Sequence, residues 1–130
     1  MALKLNQIHH VAIICSDYLR SLSFYRDILG LEVRAETYRT ERNSYKADLM
    51  LNGHYIIELF SFPSPPMRPS YPEANGLRHL AFEVSDIEET VRALEESDVA
   101  YEPIRTDEIT GKKFTFIADP DGLPIEFYEK

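Results

Sequence analysis

A single cysteine, Cys15, is all the thiol the sequence carries, which rules out an internal disulfide framework and fits a reducing compartment. No stretch approaches the roughly 20 apolar residues that a spanning helix needs, and the opening MALKLNQIHH has no apolar segment behind a basic start. These absences predict a soluble, unexported, cytoplasmic protein with no membrane partner. Clustered basic charge is missing as well: 14 Lys and Arg lie scattered among 22 Asp and Glu, for a formal net charge of -8. A polyanion would be repelled on average, which counts against nucleic acid as a partner. What is present is 44% hydrophobic side chains in 130 residues, enough for one core or two small half-cores that share an interface.

The chain repeats itself. His10-Val-Ala-Ile-Ile-Cys-Ser-Asp17 aligns with His79-Leu-Ala-Phe-Glu-Val-Ser-Asp86, placing His, Ala, Ser and Asp at one offset, 79 − 10 = 69. Tyr55-Ile-Ile-Glu-Leu-Phe60 aligns with Leu123-Pro-Ile-Glu-Phe-Tyr128, with its glutamates 126 − 58 = 68 apart. Local signals agree between the halves. Ile8 to Cys15 reads as a strand, Ser16-Asp17 as an N-cap, and Tyr18 to Leu29 as a helix stopped by Gly30. Leu77 to Val84, Ser85-Asp86 and a helix from Ile87 to about Ser97-Asp98 repeat that order. Strands follow at Glu32 to Thr37, Ala47 to Leu51 and Tyr55 to Phe60, the last two joined by an Asn52-Gly53 hairpin turn. The second half offers Ala100 to Arg105, Lys113 to Ile117 and Pro124 to Glu129, turning through Asp119-Pro-Asp-Gly122. Each half is thus βαβββ, an α+β class. The expectation is one domain, 1–130, made of modules 1–61 and 77–130. The segment 62–76 between them, with Pro63, Pro65, Pro66, Pro69 and Pro72, reads as a stiff extended linker.

A lone histidine at the head of an apolar strand is usually structural. A glutamate flanked by apolar strand residues is costly unless it is paired or bound to a cation. Two of each, at matching places in two similar halves, are better explained together: His10, Glu58, His79 and Glu126 as ligands of one divalent metal. Such a set suits Zn2+, Ni2+, Co2+, Mn2+ or Fe2+ and leaves room for water or substrate on a six-coordinate ion. Strand alternation assigns His9 outward and Cys15 to the helix side as an inert buried thiol. His54, beside the hairpin turn, reads as exposed.

HVAIICSD, LRHLAFEVSD, FYRDILGLEV, YIIELF and DPDGLPIEFYE together resemble the vicinal oxygen chelate superfamily, and within it the compact bacterial glyoxalase I-like proteins. The resemblance covers essentially the whole chain. It implies the glyoxalase/bleomycin resistance/dihydroxybiphenyl dioxygenase-like fold, with two cupped sheets around a metal; the linker permits the modules to pair within one chain or across a homodimer whose interface holds the site, and the glyoxalase I pattern favours the homodimer. It also implies that His10, Glu58, His79 and Glu126 are the ligands, with Ni2+ or Zn2+ as the favoured ion. Glu58 leans toward glyoxalase I, since related dioxygenases and thiol transferases lack that carboxylate.

The implied activity is a lyase or isomerase reaction on a small α-hydroxy carbonyl compound or hemithioacetal through a metal-stabilised enediolate. Glu126 would be the principal base and Glu58 its counterpart. Glyoxalase I holds glutathione partly through an arginine and an asparagine at places occupied here by Ile14 and Phe62. Both share parity with the ligands, so the pocket should be apolar there, with Glu83 adding negative charge. Lys112, Lys113 and Arg68 are the available substitute cations, although they read first as solvated surface charge. The alternatives are a dioxygenase or thiol transferase on the same scaffold, and a non-catalytic module that binds a small molecule.

Overall fold

A computed structural model describes all 130 residues. The chain divides into two compact units, Met1–Pro65 and Pro66–Lys130. The first contains β1 (Val11–Cys15), α1 (Tyr18–Ser23), β2 (Glu32–Arg39), β3 (Ser44–Leu51) and β4 (His54–Ser61). The second contains β5 (Leu80–Val84), α2 (Ile87–Glu96), β6 (Arg105–Thr106), β7 (Lys113–Ala118) and β8 (Pro124–Glu129).

Each unit is one four-stranded mixed sheet, ordered β1-β4-β3-β2 and β5-β8-β7-β6. In both, the first strand runs parallel to the last, which a helical crossover makes reachable, and the other pairs are antiparallel. The registers match too. Ala12 stands opposite Glu58, and Ala81 stands opposite Glu126.

Alternation divides each sheet into two faces. Ile13, Cys15, Ala47, Leu49, Ile57 and Leu59 are buried on one face of the first sheet, with Leu22 and Tyr25 also buried. Thr115, Ile117, Ile125 and Phe127 form the buried face of the second, with Ile87, Val91 and Leu94 buried from α2. Burying one such aliphatic side chain contributes about 1.5–3 kcal/mol, so this face holds each unit together. The opposite face carries the residues at the other parity, including both glutamates.

Asp17 and Asp86 cap their helices by accepting from the backbone N–H of Arg20 and of Glu88 and Glu89. Asn52 and Gly53, at φ 50 and 80, make the tight turn between β3 and β4.

Several boundaries differ from the sequence-based expectation. β1 starts at Val11 rather than Ile8, because pairing with β4 begins only at Val11 opposite Ile57, and Ile8 is left 87% exposed. The first helix is α-helical only to Ser23 and continues as a π-helical turn over Phe24–Ile28 before Gly30, at φ 78, ends it. The strand expected over Ala100 to Arg105 is reduced to Arg105–Thr106, since only Arg105 and Thr106 find partners on β7. Segment 62–76 has neither helix nor strand, but it is not simply extended: it turns near Ser70–Glu73.

Candidate metal centre

The histidines lie one residue ahead of β1 and β5, and the glutamates lie in the middle of β4 and β8. Parallel pairing places the head of β1 beside β4, and the head of β5 beside β8. In the first unit His10 Nε2 is 3.2 Å from Glu58 Oε1; in the second, His79 Nε2 is 3.1 Å from Glu126 Oε1. The imidazoles are about one-third exposed, whereas Glu58 and Glu126 are 18% and 14% exposed. Each unit therefore offers one half-buried imidazole and one largely buried carboxylate, side by side.

The surroundings of the two pairs differ. Tyr55 donates its hydroxyl to Glu58 Oε2 at 2.7 Å and to Asp48 Oδ1 at 2.8 Å. Lys46 Nζ bridges the same carboxylates, at 3.3 Å from Glu58 and 3.2 Å from Asp48. Burial pushes the Glu58 carboxyl up, but the Tyr55 hydroxyl and the Lys46 ammonium outweigh it, so its pKa lies below the ordinary value. Lys46 is raised, chiefly by its hydrogen bond to Asp48, and Tyr55 is raised by burial and by both carboxylates. Around Glu126 the neighbours are aromatic: Phe116 stands opposite it on β7 and meets the His79 ring edge-on at 5.1 Å. His79 Nδ1 is buried with no hydrogen-bond partner.

His9 departs from the outward assignment. It is exposed, but its Nδ1 lies 2.8 Å from His10 Nδ1 and its ring lies 5.3 Å from that of Tyr55. Alternation failed because residues 9 and 10 precede the first strand pairing. One of the two Nδ1 atoms must carry the shared proton; when it is His10's, Nε2 presents a bare lone pair toward Glu58, the form that binds metals.

The donors fit a divalent ion. Two ligand atoms about 2.1 Å from one ion lie about 3.0 Å apart at a right angle and about 3.4 Å apart at the tetrahedral angle, and the separations found here fall between these. A charge-assisted N–H···O bond between the same groups would be shorter, about 2.7–2.9 Å. A further acidic group, Asp86, Glu88 and Glu129, has oxygens within 4.8 Å of one another. It is occupied structurally: Asp86 caps α2, Glu129 accepts from Ile87 N–H, and Glu88 pairs with Lys113.

The chain matches the Glyoxalase/Bleomycin resistance protein/Dioxygenase superfamily over residues 7–127. It belongs to that superfamily. It is 60% identical to the Bacillus subtilis protein YwkD over 97% of this chain and 98% of that one. The solved glyoxalase family protein from Enterococcus faecalis superposes with a TM-score of 0.88 at 51% identity, over 95% of this chain and 97% of that one. Two enzymes of the superfamily are each 30% identical to it. Metallothiol transferase FosB of Staphylococcus saprophyticus matches over 95% of this chain and 77% of its own length. Lactoylglutathione lyase of Haemophilus influenzae matches over 95% and 92%. The superfamily match accounts for the duplicated sheet, and superfamily members use a divalent metal.

The other pocket residues are placed as follows. Ile14 is 55% exposed and stands opposite Phe60; Phe62 stacks on Phe60, with ring centroids 5.9 Å apart. Glu83 is exposed opposite Tyr128, two residues along β5 from Ala81, which stands opposite Glu126. Lys112 is exposed ahead of β7. Lys113 is committed to Glu88 at 2.8 Å, and Arg68 to the carbonyls of Leu77 and Arg78. Cys15 is buried, and His54 is exposed. Sequence pattern alone does not single out Lys46, Asp48 and Tyr55 beside Glu58, or Arg39, whose guanidinium lies over Phe60 and Phe62. The same-parity pair Lys46 and Asp48, set between the apolar Ala47 and Leu49, was the available signal for the first two.

Proposed function

We propose that His10, Glu58, His79 and Glu126 together hold one divalent ion, Ni2+ or Zn2+, in a glyoxalase I-like lyase that acts on a hemithioacetal or similar α-hydroxy carbonyl compound. The observation that carries this is the duplicated imidazole–carboxylate pair, at 3.2 and 3.1 Å, with a carboxylate in both halves. The two pairs complete one set of four, and we favour completion across a homodimer. The 30% identity to lactoylglutathione lyase supports the same chemistry.

When bound, the ion supplies Lewis-acid stabilisation of negative charge developing on vicinal oxygens. The chain's own residues divide the remaining work. Lys46 and Tyr55 fix Glu58 as an anchoring carboxylate. Glu126, with no hydroxyl or ammonium holding it, is the base that takes the C–H proton and returns it to the neighbouring carbon. Phe116 and Phe114 limit water around that carboxylate, which keeps the proton on it between the two transfers.

The test is metal titration of chelator-stripped protein by calorimetry, followed by assay with methylglyoxal and glutathione. His10→Ala and His79→Ala should each weaken Ni2+ or Zn2+ binding by on the order of 100-fold, since even outer-shell partners are worth 10–100-fold. Unchanged binding in both would defeat the assignment. The FosB relative favours a second activity, thiol transfer; consumption of thiol with an electrophilic antibiotic, and no lactoyl thioester from methylglyoxal, would select it.

A further inference from the structure

Arg39 ends β2 on the same sheet face as Glu58. The register fixes this: Arg39 is opposite Ser44, and Ser44 and Asp48 share parity on β3, where Asp48 is opposite Glu58. The guanidinium lies over two rings, 4.8 Å from the centroid of Phe60 and 5.8 Å from that of Phe62, and Arg42 covers Phe62 at 5.2 Å. Arg39 Nη2 donates to Ser44 Oγ at 3.3 Å, while its Nε is buried with no partner. No ion pair of the chain uses Arg39 or Arg42. In a chain with 22 acidic residues, two guanidinium groups that share the Phe62 ring and are left without a carboxylate are prepared for an external anion.

We infer that Arg39 and Arg42, seated on Phe60 and Phe62, form an oxyanion subsite that receives a carboxylate or phosphate at the far end of the substrate. The guanidinium sits over Phe60, which lies two residues from Glu58 on the same face of β4, roughly 7 Å at about 3.4 Å per residue. The subsite thus names the substrate class as anionic, and it rests on the proposed function only for the position of the reacting end. Stacking leaves the edge of the Arg39 fork for oxygen.

The probes are inorganic phosphate and acetate, titrated separately at constant ionic strength into full-length, metal-free protein and followed by NMR. Saturable shifts are expected at Arg39 Nε–H and at the rings of Phe60 and Phe62. Binding should weaken at least fivefold in Arg39→Met and partly recover in Arg39→Lys, which restores the charge without the fork. Arg42→Met repeats the test should Arg39→Met fail to fold, and Arg20→Met, on α1, should bind as wild type does. Tighter phosphate binding assigns a phosphate-bearing substrate, and tighter acetate binding a carboxylate-bearing one. Shifts spread over many basic residues, or unchanged affinity in both Arg39→Met and Arg42→Met, overturn the subsite. His10→Ala keeps anion binding while losing metal, so failure of the subsite and failure of the metal assignment give different results.

Discussion

In the first unit Glu58 accepts from Tyr55, faces Lys46 and shares both with Asp48; in the second, Glu126 has His79 on one side and phenylalanine on the other. By register, Phe116 occupies the place of Asp48 and Phe114 that of Lys46. Leu123, three residues before Glu126, stands where Tyr55 stands before Glu58. Duplication has preserved the donors and let their neighbours diverge. A carboxylate held by an ammonium and a phenol is expensive to move, because each charged hydrogen bond is worth about 1.5–3 kcal/mol. A carboxylate against aromatic rings lacks that restraint. Two ligands alike in sequence are thereby suited to different tasks, one to anchoring and one to moving a proton.

The strongest break of this asymmetry is to remove each carboxylate's charge in turn. Glu126→Gln should lower kcat by on the order of 10²–10⁴, the range for a general base, with the metal retained. Glu58→Gln should chiefly weaken metal binding and destabilise the first unit, by leaving Lys46 and Tyr55 a neutral amide oxygen in place of the carboxylate. Steady-state rates on a confirmed substrate, read beside metal stoichiometry, separate the two. Equal losses of kcat with equal metal content would abolish the division of labour.

A pH series sharpens the same contrast. Glu58 is held below its ordinary pKa in the folded protein, so the unfolded chain binds its proton more readily. The resulting stabilisation is present above the unfolded value and is lost as pH falls through the folded one. Lys46→Met removes one cause of the depression, leaving burial to push the carboxyl upward. In metal-free protein its titration midpoint, read from the side-chain carboxyl carbon by NMR, should rise, and the share of the acid loss of stability that Glu58 contributes, read in urea, should shrink as the folded value moves toward the unfolded one. An unmoved midpoint would show that Lys46 does not hold Glu58.

The paired donors were legible because duplication writes the same residues twice: His10 with His79, and Glu58 with Glu126. The βαβββ order was legible because caps, turns and alternation all act over a few residues. What surrounds Glu58 was not. Tyr55 differs from Glu58 in strand parity, and it reaches that carboxylate beside a register shift between Leu49 and Met50 that alternation does not reveal. His9 escaped for a related reason, since parity applies only where a strand is paired. Arg39 was overlooked because the expected strand stopped at Thr37, whereas pairing with β3 carries it to Arg39 opposite Ser44.

The smallest expected effect is the most direct reversal: giving Glu126 the neighbour that restrains Glu58. Phe114 stands opposite Tyr128 on β7 as Lys46 stands opposite Phe60 on β3, so Phe114→Lys brings an ammonium within reach of Glu126. A new charged hydrogen bond of about 1.5 kcal/mol would have to break before the carboxylate could take a proton, slowing turnover roughly tenfold. Metal affinity should hold, since neither the donors nor their spacing change. Stability should drop modestly, because Phe114 is only half-buried and its stacking with Tyr128, at 6.1 Å, is lost. Phe114→Met, which removes the ring without adding charge, controls for that loss. Slower turnover in the lysine variant but not in the methionine variant attributes the effect to restraint of Glu126; equal slowing in both attributes it to the aromatic wall.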